Sequence, residues 1–136
     1  MRSRWVRMSL VVCGIALGVA RCSSNLTLET TVGRLGGGDA DGNGVSLASD
    51  GHRVAAAWAE TREGRTDVYA ALSDNDGESF GPAVRVNDIE GDARVSGEQP
   101  PRVALGREIV VVWASRANES SRIRMARSTG EGRWGH

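Results

Sequence analysis

Few residue types in this 136-residue chain could do chemistry, and they recur in pairs. Trp58 and Trp113 each close an apolar run, and Arg62 and Arg116 follow them at similar places. An arginine that recurs in this way suits a sugar carboxylate, which its planar guanidinium meets through two parallel hydrogen bonds. A solvated arginine at a hairpin accounts for the same pattern. Glu60 and Asp67 offer a carboxylate pair of the kind that hydrolyses glycosidic bonds, although two acids flanking one turn also serve to solvate it. The two tryptophans could stack on sugar rings, yet their place at the end of buried strands assigns them to core packing. Tyr69 is the single tyrosine, and at a strand position it reads as packing between layers.

Asp39-Ala40-Asp41-Gly42-Asn43-Gly44 matches the opening of a calcium loop, with Asp50 at the twelfth position. Against this, Ser46 stands where an apolar residue is expected, Asp50 replaces the bidentate glutamate, and the second half overlaps a strand pattern. Cys13, Cys22, His52 and His136 are too scattered for a zinc site, so neither a metal nor a cofactor is expected. Lys+Arg and Asp+Glu number 17 each, leaving no basic excess for nucleic acid. Asn25-Leu26-Thr27 and Asn118-Glu119-Ser120 match glycan-acceptor sequons, patterns short enough to arise by chance.

The N-terminus reads as an export signal. Arg2, Arg4 and Arg7 precede residues 8–20, which carry no charge. A basic stretch ahead of a short apolar run is the secretory pattern, and the run is shorter than the roughly 20 residues of a membrane span. The signal helix is assigned to residues 1–21. Gly18-Val19-Ala20 offers a cut before Arg21, whereas Val19-Ala20-Arg21-Cys22 resembles a bacterial lipobox with Cys22 as the lipidated residue. Arg21 departs from that pattern, because a small residue belongs there. With Cys13 removed, the mature chain holds no internal disulfide. Residues 22–44 form a Ser- and Gly-rich tether.

What positions the paired residues is an internal repeat. Displacing the chain by 55 residues sets Trp58 on Trp113, Ala59 on Ala114, Val68 on Ile123, Ala71 on Ala126, Ser73 on Ser128 and Gly77 on Gly132. One extra residue near Asp50 also brings Leu47 onto Val103 and Ala48 onto Ala104. Within each unit, alternation with period two marks half-buried strands at 45–48, 67–73 and 83–87, then at 102–105 and 122–128. Residues 54–59 and 109–114 are apolar throughout or nearly so, as in strands covered on both faces. The second unit stops at Gly135-His136, where its fourth strand is due.

The segment after the third strand, Ser73-Asp74-Asn75-Asp76-Gly77-Glu78-Ser79-Phe80, resembles the Asp box of sialidase-like repeats, Ser-x-Asp-x-Gly-x-Thr-Trp. Ser73, Gly77, Ser79 and Phe80 match or nearly match, and Asn75 replaces the usual Asp. A side-chain amide that binds nearby backbone N–H groups, followed by a glycine at positive φ, builds a tight hairpin. Ser128-Thr129-Gly130-Glu131-Gly132-Arg133-Trp134 is a degenerate second box that keeps Ser128, Gly132 and Trp134.

The resemblance, over residues 45–134, implies an all-β fold: an incomplete β-propeller of about seven strands, with one blade at 45–99 and a second, incomplete one at 100–136. Propellers close with about four to eight blades, so further blades or another subunit are expected. In this family the box is structural and lies away from the catalytic end. Catalysis there uses three arginines on a carboxylate, a Tyr/Glu nucleophile pair and an Asp acid/base, and passes through an oxocarbenium-like state. None of these residues carries over, and the Phe/Tyr-Arg-Ile-Pro motif is missing. The resemblance implies an exported protein that cleaves or binds glycans or glycoproteins, meeting a membrane only through a lipid at Cys22. A non-catalytic surface propeller and an inactive remnant are the alternatives.

Overall fold

The computed structural model describes residues 35, 41–95, 98–117, 120–128 and 133–136. The export signal, Cys22 and Gly132 lie outside these residues, as does most of the 22–44 tether. The described chain is all β, with eight strands: β1 (Asp41–Asp50), β2 (Arg53–Arg62), β3 (Arg65–Ser73), β4 (Val84–Arg85), β5 (Arg102–Leu105), β6 (Ile109–Ala117), β7 (Ser120–Ser128) and β8 (Trp134–Gly135). They form two antiparallel sheets in the orders β1-β2-β3-β4 and β5-β6-β7-β8. Strands adjacent in sequence are adjacent in the sheet, with two-residue turns joining β1 to β2 and β2 to β3 and a longer turn, 74–83, joining β3 to β4. The β2–β3 hairpin turns on Glu63 and Gly64, with φ of 51° and 76°. Two successive positive φ values match the right-handed twist of the flanking strands.

Sequence alternation explains the layering. Successive side chains of a strand point to opposite faces, and cross-strand partners share a face. Ala57, Val68 and Ala70 of the first sheet meet Val111, Trp113 and Ala126 of the second, with Val86 and Ala93 completing that core. On the other face of the first sheet, Ala56, Trp58 and Ala71 pack with Leu35, Tyr69 and Phe80. Residues 55–59 are therefore buried on both sides, and the run of alanines lets the layers approach closely. Full burial of a Val, Leu or Phe side chain contributes about 1.5–3 kcal/mol, so the shared core outweighs any surface ion pair.

Three details depart from the sequence expectation. β1 begins at Asp41 rather than 45, because Asp41, Gly42 and Asn43 pair with Thr61, Glu60 and Ala59 across an irregularity between Asn43 and Ser46. This pairing holds the segment extended, which is incompatible with a loop wrapped round a calcium ion. The fourth strand of the second unit is present: Gly135 and Trp134 pair with Arg127 and Ser128, which makes eight strands rather than seven. Two residues from the chain end are enough for a ladder step, and the apolar Trp134 anchors it on the shared core. β4 is two residues long instead of spanning 83–87, although the Val86 N–H still donates to the Val68 carbonyl (2.7 Å).

The chain between β4 and β5 ties the sheets together. The Ala93 N–H donates to the Thr66 carbonyl (3.1 Å) in the first sheet, and the Arg94 N–H to the Ala114 carbonyl (2.8 Å) in the second. The Arg116 N–H returns a bond to the Asp92 carbonyl (2.7 Å). β5 then runs beside β1 and β2.

Candidate functional site

Charged side chains gather at the β2–β3 end, around the connecting chain. Asn87 is the hub. Its Oδ1 accepts the Val68 N–H (2.9 Å), and its Nδ2 donates to Asp67 Oδ1 (2.7 Å), the Ile89 carbonyl (2.6 Å) and Asp92 Oδ1 (3.0 Å). Asp67 Oδ1 also accepts the Gly91 N–H (2.7 Å). Gly91 adopts φ 71°, and an added Cβ would lie 3.1 Å from the Arg65 Cβ, so this approach needs glycine. Asn87 and Asp92 are buried. A carboxylate taken from water requires such donors, or its desolvation penalty goes unmet.

Arg124 reaches this hub from the second sheet. Its guanidinium donates to Asp92 Oδ2 (3.1 Å) and Asp88 Oδ2 (3.0 Å) and lies 5.9 Å from the centre of the Trp113 ring. Burial acts to raise the Asp88 pKa, but the Arg124 hydrogen bond and the charges of His136 and Arg124 prevail and hold it below the ordinary 3.8. Arg124 stands opposite Trp113 in register, as Tyr69 stands opposite Trp58. Tyr69 stacks on Trp58 with ring centres 6.3 Å apart. The two units thus use the same place for a ring–ring contact and for a cation–ring contact.

Glu60 and Asp67 are cross-strand partners, but they are not the solvated pair that the sequence suggests. Glu60 is 3% exposed and accepts a hydrogen bond from Trp58 Nε1 (2.8 Å). Arg62 binds its other oxygen at 3.0 Å. The repeat places Ser115 at the corresponding position, too short to reach, and Trp113 Nε1 is buried without an acceptor. Arg116 is exposed and Arg62 is engaged by Glu60, so the two recurring arginines have different surroundings.

At the opposite end of the strands, Ser73 Oγ donates to Asn75 Oδ1 (2.8 Å) and accepts the N–H groups of Asn75 (3.3 Å) and Gly77 (3.0 Å). Asn75 Oδ1 also accepts the Ser79 N–H (3.1 Å), while its Nδ2 donates to Ser79 Oγ (2.9 Å). Asp76 and Gly77 have φ of 59° and 86°. The Asp76 N–H donates to the His52 carbonyl (2.8 Å), which ties this turn to the β1–β2 hairpin. Phe80 packs against the Trp58 cluster. In the second unit, Ser128 pairs with Trp134. Beside this end lies a cleft of about 580 Å³ between the sheets, with Arg53, Asp74, Arg107 and Glu108 at its polar positions and Ala71, Ile109 and Trp134 among its apolar ones.

Comparisons with protein-family models, with curated proteins and with solved structures return no match. The site therefore has to be read from its own geometry. Among the described residues no three His, Cys, Asp or Glu side chains are grouped to hold a metal ion. The connecting segment 87–92 and Arg124 escaped the sequence reading. Their signal was the Asn-Asp-x-x-x-Asp spacing just after an alternating strand, which gains meaning only once the second sheet is beside it.

Proposed function

We propose that the two sheets are neighbouring blades of a sialidase-like Asp-box β-propeller, exported from the cytoplasm, and that the protein works on glycans. The observation that carries this reading is the turn after β3. There Ser73, Asn75, Gly77 and Ser79 close a four-stranded antiparallel meander through side-chain to backbone bonds, and a second meander follows 55 residues on. Sheets of four short antiparallel strands are the unit of propellers.

Binding rather than hydrolysis is favoured by a specific observation. Glu60, Asp67, Asp88 and Asp92 all accept hydrogen bonds from within the fold, and Tyr69 lies stacked on Trp58. Side chains held in this way maintain architecture. The proposed role is a non-catalytic surface propeller that holds carbohydrate or a glycoprotein. Incubation of the protein with a fluorogenic sialoside at pH values of about 4–8, where carboxylates and histidine titrate, is expected to give no turnover above buffer. A glycan array is expected to give hits. Turnover would restore the glycosidase reading, and an empty array without turnover would sink both. Export with a lipid at Cys22 predicts a mass increase at that residue that Cys22→Ala abolishes; a mature N-terminus at Arg21 would exclude it.

A further inference from the structure

The cleft beside the 73–79 turn differs from the rest of the molecule in what its charged groups are doing. Around Asn87 and Glu60, carboxylates and guanidinium groups are taken up by partners within the fold. At the cleft, among the described residues, the exposed side chains of Asp74 and Arg107 have no hydrogen bond or ion pair. Glu108 meets Arg127 only at 3.7 Å. Arg53 uses one nitrogen, donating from Nη1 to the Gly106 carbonyl (3.1 Å), and a guanidinium has further N–H groups to offer.

The walls are held in place before any ligand arrives. The Arg53–Gly106 bond ties the start of β2 to the β5–β6 turn, and the Gly106 N–H donates to the Glu108 carbonyl (3.1 Å), which closes that turn. The Gly81 N–H donates to the Leu72 carbonyl (2.9 Å), so the segment leading into Pro82 is fixed to β3. Pro82, Val84, Ile109 and the half-buried Trp134 supply apolar lining. A cleft of about 580 Å³ with an apolar wall and a few polar groups has the size and make-up of a small-molecule site.

The lining also specifies the chemistry of the ligand. Arg53 and Arg107 are balanced by Asp74 and Glu108, so neither an anion nor a cation is favoured as such. A guanidinium can only donate hydrogen bonds and a carboxylate can only accept them, whereas a hydroxyl does both. A neutral ligand with several hydroxyls therefore satisfies both kinds of group. The apolar wall asks for a C–H surface on the same small body. A sugar ring has hydroxyls around its rim and C–H groups across its face.

We infer that this cleft binds a neutral hexopyranose unit, its C–H face against Trp134 and its hydroxyls shared between Asp74 and Arg107. The inference rests on the glycan reading and deepens it, because it puts the sugar between the sheets and away from Glu60, Asp67 and the paired tryptophans.

The test is saturation-transfer difference NMR of the whole protein, titrated with the methyl glycosides of glucose, mannose and galactose and with N-acetylneuraminic acid. At least one neutral glycoside should bind with a Kd of about 1 mM, the range for a ligand of about a dozen heavy atoms. Arg107→Ala and Asp74→Ala should each weaken it by about tenfold or more, because each removes a charged hydrogen-bond partner. Their thermal midpoints should match wild type, since neither side chain is bonded within the fold. Arg116→Ala, at the far end of β6, should bind like wild type. Wild-type affinity in both cleft variants would overturn the site while leaving the glycan reading intact. No glycoside bound by the wild type would overturn it too, and only an empty glycan array alongside would sink the glycan reading. N-acetylneuraminic acid bound tenfold more tightly than the neutral glycosides, and lost in Arg107→Ala, would replace the neutral ligand with an anion.

Discussion

Trp58 and Trp113 sit at equivalent places in the two units, yet only one indole N–H has an acceptor, and this permits an internal control. Trp58→Phe and Trp113→Phe remove the same atoms from buried sites. Their packing losses should be similar, so the difference between them isolates the hydrogen bond. In Trp58→Phe the Glu60 carboxylate loses its 2.8 Å donor while remaining buried, though it keeps Arg62 at 3.0 Å. A bond to a charged group contributes about 1.5–3 kcal/mol. Trp113→Phe instead relieves a buried donor without a partner. It loses part of the contact with Arg124, a term of about 0.5–1 kcal/mol. Trp58→Phe should therefore be the more destabilising by about 1–2 kcal/mol, seen as a midpoint lower by roughly 4–8 °C in a domain of this size. Thermal and urea unfolding followed by circular dichroism measure this. Equal losses, or a greater loss in Trp113→Phe, would refute the assignment of Glu60 as the acceptor that holds Trp58.

Asn87→Ala should cost at least about 3 kcal/mol in urea unfolding, because it leaves the buried Asp92 and its neighbour Asp67 facing each other without the shared donor. Gly44→Ala should be worse than Gly77→Ala, read as the difference in thermal midpoint. Both glycines have positive φ, with strain of about 1–2 kcal/mol for an L-residue, but the new Cβ at Gly44 would lie 2.8 Å from Pro100 whereas at Gly77 the nearest atom is 3.7 Å away. Asp88 has its pKa lowered, so its stabilising effect is present above the ordinary 3.8 and is lost as the pH falls through the lower folded value. Wild type and Arg124→Gln should therefore differ in stability by a constant amount at neutral pH, with the gap narrowing only below about pH 4. Asp88 is 42% exposed, so its share of that narrowing is small.

The strands were legible because their patterns are local. The apolar run at 54–59 and the alternation at 102–105 and 122–128 specify paired, half-buried or fully buried strands whatever lies beyond them. Asp41 and Asn43 read as tether because an Asp/Gly/Asn stretch has no strand periodicity; the stretch is strand because β2 extends far enough to pair with it. Glu60 reads as solvating a turn because a carboxylate beside a hairpin usually does so. Its burial depends on Trp58, two residues back and on the same face, which supplies the donor. The polar hub was out of reach for the same reason. Asn87, Asp92 and Arg124 lie far apart in the chain, and only the stacking of the sheets makes them partners.

The length of the outermost strands has a consequence for how such a molecule avoids sticking to itself in the wrong way. β8 is two residues long and pairs only with Arg127 and Ser128, so, among the described residues, most of β7 faces the rim with no strand beside it. An edge of that length is a template for a strand of another chain, and the exposed Arg122 and Arg127 on β7 are charges of the kind that oppose such pairing. The irregularity in β1 between Asn43 and Ser46 interrupts the longest remaining edge. The rim of the second sheet is thus defended by side-chain charge, and that of the first by a break in its ladder.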